Sequence, residues 1–156
     1  MKPTITVIHR IAAMLAFLMI FSFFTSTVVV ELFGDHQDVY QVKTVISYAI
    51  WLLIPMMAIT GFTGAKMGGK SSYPPILAKK KRMPFIAING LLILTPCAFY
   101  LQYLAEQSQF NDIFYVVQGL ELMAGMINLT LMSLNIRDGL AMSKRRKSSS
   151  NRTIKS

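Results

Sequence analysis

The sequence predicts an all-α integral membrane protein, an up-down four-helix bundle, and three observations carry that prediction. Four long apolar runs are each bracketed by charged residues. The basic residues collect at alternate connections between those runs. The whole chain of 156 residues is 53% hydrophobic with a mean hydropathy of +0.47, and its apolar residues come in blocks, the pattern of a membrane domain. A net charge of +9 would suggest nucleic acid if it lined one face of a soluble fold. Here it sits at the ends of apolar runs, where topology accounts for it, and no nucleic-acid partner is expected.

The elements follow in chain order. Span one covers about 11–33, between Arg10 and Asp35, with Glu31 near its end. Lys2 and Arg10 precede it as in a signal peptide, but the apolar stretch is too long and lacks an A-x-A site, so it reads as an uncleaved helix. Span two covers 44–65, between Lys43 and Lys66. Span three covers 83–105, between Arg82 and Glu106, with Pro84 in its first turn, where proline is tolerated. Span four covers 113–136, between Asp112 and Arg137. Each run exceeds the roughly 20 residues a helix needs to cross hydrocarbon, and the two-residue alternation of a membrane barrel is absent. Pro55 and Pro96 fall mid-span, where each removes one backbone hydrogen bond. The transmembrane domain is thus 1–138. Residues 139–156 form a basic tail expected to be disordered and to touch anionic lipid head groups. Cys97, the sole cysteine, permits no internal disulfide and reads as a small buried hydrophobe.

Lysine and arginine set the orientation. The N-terminal segment, the connection KMGGKSSYPPILAKKKR and the tail together hold every basic residue except Lys43. Those segments are expected to be cytoplasmic, in a bacterial inner (plasma) membrane, with both termini inside. The other two connections are short, which makes neighbouring helices antiparallel. Tyr40, Tyr48, Trp51, Tyr100, Tyr103 and Tyr115 fall toward the outer end, as interfacial aromatics do.

The candidate site is a polar stripe on span four. Gln118, Glu121, Gly125, Asn128, Met132 and Asn135 recur at spacings of three and four, which is one helix face. Polar groups in a membrane helix turn toward other helices, because hydrocarbon offers no partner. Glu121 lies about 12 Å below the outer end at 1.5 Å per residue. The expected neighbours at that depth are Thr25, Tyr48 and Trp51, and no basic residue is expected at that level. Without a cation the protonated carboxyl is the cheaper state. Glu121 is therefore either neutral glue between helices or a group that exchanges protons or binds cations. A second polar set, His9, Arg10, Arg82, Asn89 and Arg137, sits toward the cytoplasmic end. It suits a polar head group, a quinone carbonyl or a phospholipid.

His9 and His36 flank span one, 27 positions apart and so about 40 Å apart along a helix, too far to share one haem b within a monomer, so a haem b would need a His–Met pair drawn from the 11 methionines. No metal site is expected. The stretch TVIHRIAAMLAF, through His9 and Arg10, resembles the His-Arg motif that opens the first membrane helix of the cytochrome b subunit of succinate dehydrogenase. That resemblance implies a quinone near Arg10, in a redox anchor subunit. The family's haem-ligand histidine on a later helix has no counterpart, and the chain has one span more. The chain as a whole is similar to small four-span bacterial inner-membrane proteins, a resemblance that implies no activity. Its intramembrane Glu121 near Tyr48 and Trp51 also resembles the small multidrug resistance class, whose glutamate lies on the first helix instead. That likeness implies a proton-coupled exporter. The leading expectation is a non-enzymatic accessory or interaction subunit of a membrane assembly or homo-oligomer. No nucleophile, metal or phosphate-binding constellation stands out to suggest a catalyst.

Overall fold

A computed structural model describes residues 3–68 and 74–154. It is all-helical. Helix α1 is Pro3–Phe33, α2 is His36–Gly68, α3 is Pro74–Ile88, and α4 is Thr95–Glu106, joined to α3 by a π-helical stretch at Asn89–Leu94; α5 is Asp112–Ile154. The stretch from α3 through α4 forms one continuous rod. The four resulting rods are each long and apolar enough to cross a membrane, over Thr4–Phe33, His36–Met67, Pro74–Glu106 and Asp112–Met142. The first three begin seven to nine residues earlier than the hydropathy pattern alone suggests, and local chemistry accounts for the starts of α2, α3 and α5.

At α2 the signal is Asp35-His-Gln-Asp38. The Asp38 N–H donates to Asp35 Oδ1 at 2.9 Å, and the Asp35 N–H donates back to Asp38 Oδ2 at 3.2 Å. This is a reciprocal capping box, with Asp in place of the usual Glu. The α1–α2 connection is therefore only residues 34–35, and Gln37 through Lys43 become the first two turns of α2. At α3 the helix begins on Pro74-Pro75, where fixed φ and a missing N–H suit a first turn. The basic run 79–82 is thus helical, and Pro84 lies inside α3 rather than in its first turn as expected. At α5 the Asn111 side chain accepts from the Phe114 N–H at 3.1 Å, an N-cap. At its far end α5 runs on through the basic segment to Ile154, so residues 139–154 are helical where disorder was expected. Helix propagation from an existing helix costs little, and Ala, Met, Lys and Arg are good helix formers.

α4 stops in a Schellman turn. The Gln109 N–H donates to the Leu104 carbonyl at 2.9 Å and the Ser108 N–H to Ala105 at 3.0 Å, with Ser108 at φ 53°. The π stretch ends where the Thr95 N–H reaches five residues back to the Gly90 carbonyl. The Thr95 hydroxyl donates to the same oxygen at 2.9 Å. The wider turn gives room to the ring of Pro96, which would otherwise strike a carbonyl one turn earlier.

The rods pack in a ring. α1 lies on α2, α2 on the third rod, the third rod on α5, and α5 closes against α1. α2 and α5 therefore face each other across the interior. Small residues allow the approach: Ala12, Ala16, Ala98, Ala105 and Ala124 are all buried. At Gly125 an added Cβ would stand 3.3 Å from Phe24 of α1. Large apolar side chains such as Leu32, Phe62, Phe85, Leu92 and Val116 cover the outside, as expected of a surface solvated by lipid. The end that carries the two short connections, 34–35 and 107–111, is called the hairpin end below. The opposite end, rich in lysine and arginine, is the basic end.

Candidate functional site

The stripe on α5 faces inward. Gln118, Asn128, Met132 and Asn135 are buried and Gly125 packs on Phe24. Glu121 does have a cation beside it. Lys43 Nζ stands 2.5 Å from Glu121 Oε2, with the lysine side chain wholly buried and the glutamate side chain 12% exposed. The expectation that no basic residue lies at that level is thereby corrected. Because α2 begins at His36, Lys43 is seven residues inside the helix, about 10 Å down at 1.5 Å per residue. Its Cβ leans toward the start of α2 and that of Glu121 toward the start of α5, so both side chains lean to the hairpin end and meet across the bundle. The pair is neutral overall whichever partner holds the proton, which removes most of the cost of carrying Glu121 into hydrocarbon.

The surroundings of the pair differ from those expected. Gln118 Nε2 donates to Glu121 Oε2 at 3.2 Å. Tyr48 and Trp51 are 75% and 70% exposed, on the outer face of α2, and do not approach Glu121. They occupy the outward side of the helix, since Lys43, Ile46, Ser47 and Ile50 take the inward side. Thr25 is also exposed, its hydroxyl returned to the Phe21 carbonyl at 2.8 Å. Glu31 of α1 is within electrostatic range of the pair, its charge interacting with Lys43, Glu121 and His36. The buried oxygens Glu31 Oε1 and Gln118 Oε1 have no donor. Beyond Glu31 a cavity of about 260 Å³ opens at the hairpin end, walled by Glu31, Asp35, His36, Val39, Phe110 and Tyr115. The His36 ring lies flat on Phe110, centroids 4.0 Å apart. On its other side Glu121 borders a smaller apolar cavity of about 60 Å³ that reaches Asn128.

The lower polar residues separate into three groups. Asn89 Nδ2 donates to the Ala124 carbonyl at 2.8 Å and to Asn128 Oδ1 at 2.9 Å, joining the π stretch to α5. Asn128 Nδ2 lies 3.4 Å from the Ile86 carbonyl. His9 Nδ1 faces the Thr60 carbonyl at 3.1 Å and the Thr63 hydroxyl at 3.0 Å, while Lys79 Nζ stands 3.3 Å from Nε2. A carbonyl only accepts and an ammonium only donates, so the imidazole is neutral with its proton on Nδ1. Arg82 pairs with Asp138 at 2.7 Å, and Arg137 meets the same carboxylate at 3.4 Å. The expected quinone or head-group set is therefore divided. Asn89 belongs to the mid-bundle amides, His9 to an α1–α2–α3 junction, and Arg82 and Arg137 to an α3–α5 ion-pair cluster. Asn135 is buried with Oδ1 lacking a donor. Cys97 is buried, as expected.

Lys43 is the residue that hydropathy reasoning misses. The capping signature DHQD is the signal that places it, since it moves the helix start back to His36. Compared with protein-family models, curated proteins and solved structures, the chain matches none.

Proposed function

We propose that this chain is a multi-pass protein of the bacterial inner membrane with both termini cytoplasmic, serving as a non-enzymatic accessory or interaction subunit of a larger membrane assembly. The observation that supports it is how the reactive side chains are used. His9, Asn89, Asn128, Arg82, Asp138, Lys43 and Glu121 each bond to a different helix of the same chain. They hold four rods in one register, and both ring nitrogens of His9 are engaged in doing so. What the bundle then offers its surroundings is an apolar lateral surface with a basic end, suited to other membrane helices and to anionic lipid. The test is to extract the protein with its native lipid in polymer discs and weigh the particles. Particles holding further copies or a second subunit in fixed ratio are expected. Single chains alone, across expression levels, would sink the reading.

A second reading, a small proton-coupled exporter working through Glu121, draws support from the cavity that Glu121 borders on the way to Asn128. In proteoliposomes, Glu121→Gln should then abolish proton-driven efflux of organic cations while the helical content stays. Unchanged efflux by the variant removes that reading.

A further inference from the structure

The charges around Lys43 do not balance. Glu121 is bonded to it, Glu31 lies within electrostatic reach of both, and one ammonium faces two carboxylates. Fully ionised, the trio carries a net charge of −1 at membrane depth, where an uncompensated charge costs several kcal/mol. The hydrogen bonds are short by a donor as well. Gln118 is 3% exposed and gives its N–H to Glu121, yet its oxygen, like Glu31 Oε1, is buried without a partner. One proton added to Glu31 cancels the net charge and turns one of the two orphan acceptors into a donor. The remaining ionisable neighbours are His36 on α2, the Cys97 thiol on α4, and Asp35 in the connection, on the cavity wall with Glu31. None of them supplies a second buried cation.

Geometry lets the lysine serve either acid. α1 runs toward the hairpin end and α2 away from it. The Glu31 Cβ therefore leans inward and the Lys43 Cβ leans outward, so the two side chains converge. Glu31 also lines the open cavity of about 260 Å³, a volume that admits water, whereas Glu121 lies on the inner side of the lysine.

We propose that Glu31, Lys43 and Glu121 form a proton-exchange site. Its two carboxylates share one ammonium and one proton, and the proton reaches Glu31 through the hairpin-end cavity. When Glu31 is protonated, Lys43 stays with Glu121. When Glu31 gives up its proton, its carboxylate competes for the ammonium, and the contact that ties α2 to α5 loosens. The site stands apart from the assembly reading above and needs no partner subunit.

Infrared spectroscopy of the full chain in nanodiscs counts the proton. Of the seven acidic residues, Asp35, Asp38, Glu106 and Asp112 are exposed and Asp138 is bonded to Arg82. A protonated-carboxyl band at neutral pH therefore reports on Glu31 and Glu121. The wild type should show one such band, and it should shift in deuterated buffer. Glu31→Gln should abolish it. Glu121→Gln should also abolish it, because Glu31 then ionises to pair with Lys43. Lys43→Met should double it. Thermal unfolding supplies a second readout. Glu31→Gln and Glu121→Gln should each lower the Tm modestly, and the double variant should lower it by clearly more than their sum, since Lys43 is then bare. No band in the wild type, a band that survives Glu31→Gln, or additive Tm losses would overturn the proposal. A band that never shifts in deuterated buffer would overturn the exchange and leave a sealed strut.

Discussion

A lysine side chain with no exposed surface must either shed its proton or keep a counter-charge in contact, and Lys43 has a carboxylate at 2.5 Å. Lys43 therefore leans on Glu121, with Glu31 the other acid in electrostatic range. Removing one partner of a buried pair leaves an uncompensated charge and costs about 3–5 kcal/mol, whereas replacing both with apolar residues of similar volume is often nearly neutral. Glu121→Leu alone should thus destabilise by roughly that amount, less whatever Glu31 returns by taking over the ammonium. Adding Lys43→Met should recover most of the loss. Reversible unfolding in mixed micelles measures both, and a double variant no better than the single would refute the account. At this scale the sequence was half legible. The polar face of α5 could be read from spacing alone, because a helix repeats every 3.6 residues whatever surrounds it. Its partner could not, because Lys43 was read as a flank of an apolar run. Tyr48 and Trp51 misled for a related reason: depth along an axis says nothing about which side of the helix a residue occupies.

Among the elements, the helices were legible in their apolar middles and poorly so at their ends. Hydropathy marks what must avoid water, but a helix starts where its first N–H groups find acceptors. Asp35, Asn111 and Pro74 decided those starts. The Schellman turn after α4 offers a direct check, since Ser108 occupies a left-handed conformation that favours glycine. Ser108→Gly should stabilise the fold by about 1 kcal/mol, seen as a higher midpoint in denaturant; a lower midpoint would contradict the assignment. The π stretch makes a second check. Its inner face presents Asn89, whose amide holds both the Ala124 carbonyl and Asn128 of α5. Asn128→Leu leaves Asn89 with the carbonyl alone and should cost about 1–2 kcal/mol. Asn89→Leu should cost as much or more, because it strands the Asn128 carbonyl oxygen. The π turn was not foreseen from Pro96, which announces only that one hydrogen bond is missing and not how the helix absorbs the loss.

For the whole molecule, antiparallel order was readable from connection length and charge, and the ring of rods agrees with it. Sidedness rests on charge alone, and labelling addresses it. With Cys97→Ala as background, single cysteines at Lys66 and Gln109 should react with a membrane-impermeant maleimide from opposite faces of sealed vesicles. Reaction of both from one face would rule out the four-span arrangement.

The ion pair joins residues 78 positions apart, and ribosomes add roughly 5–20 residues per second. Lys43 therefore leaves the ribosome on the order of 4 to 16 s before Glu121 exists. If α1 and α2 enter a bilayer during that interval, they do so with a cation on board; of the acids already made, Asp35 and Asp38 are exposed and Glu31 is the one whose charge interacts with Lys43. On the proton-exchange proposal, Glu31 would serve the first hairpin as a provisional counter-ion until the last helix brings Glu121 to the lysine. A glutamate on α1 would then make the order of synthesis, not only the finished bundle, compatible with a buried cation.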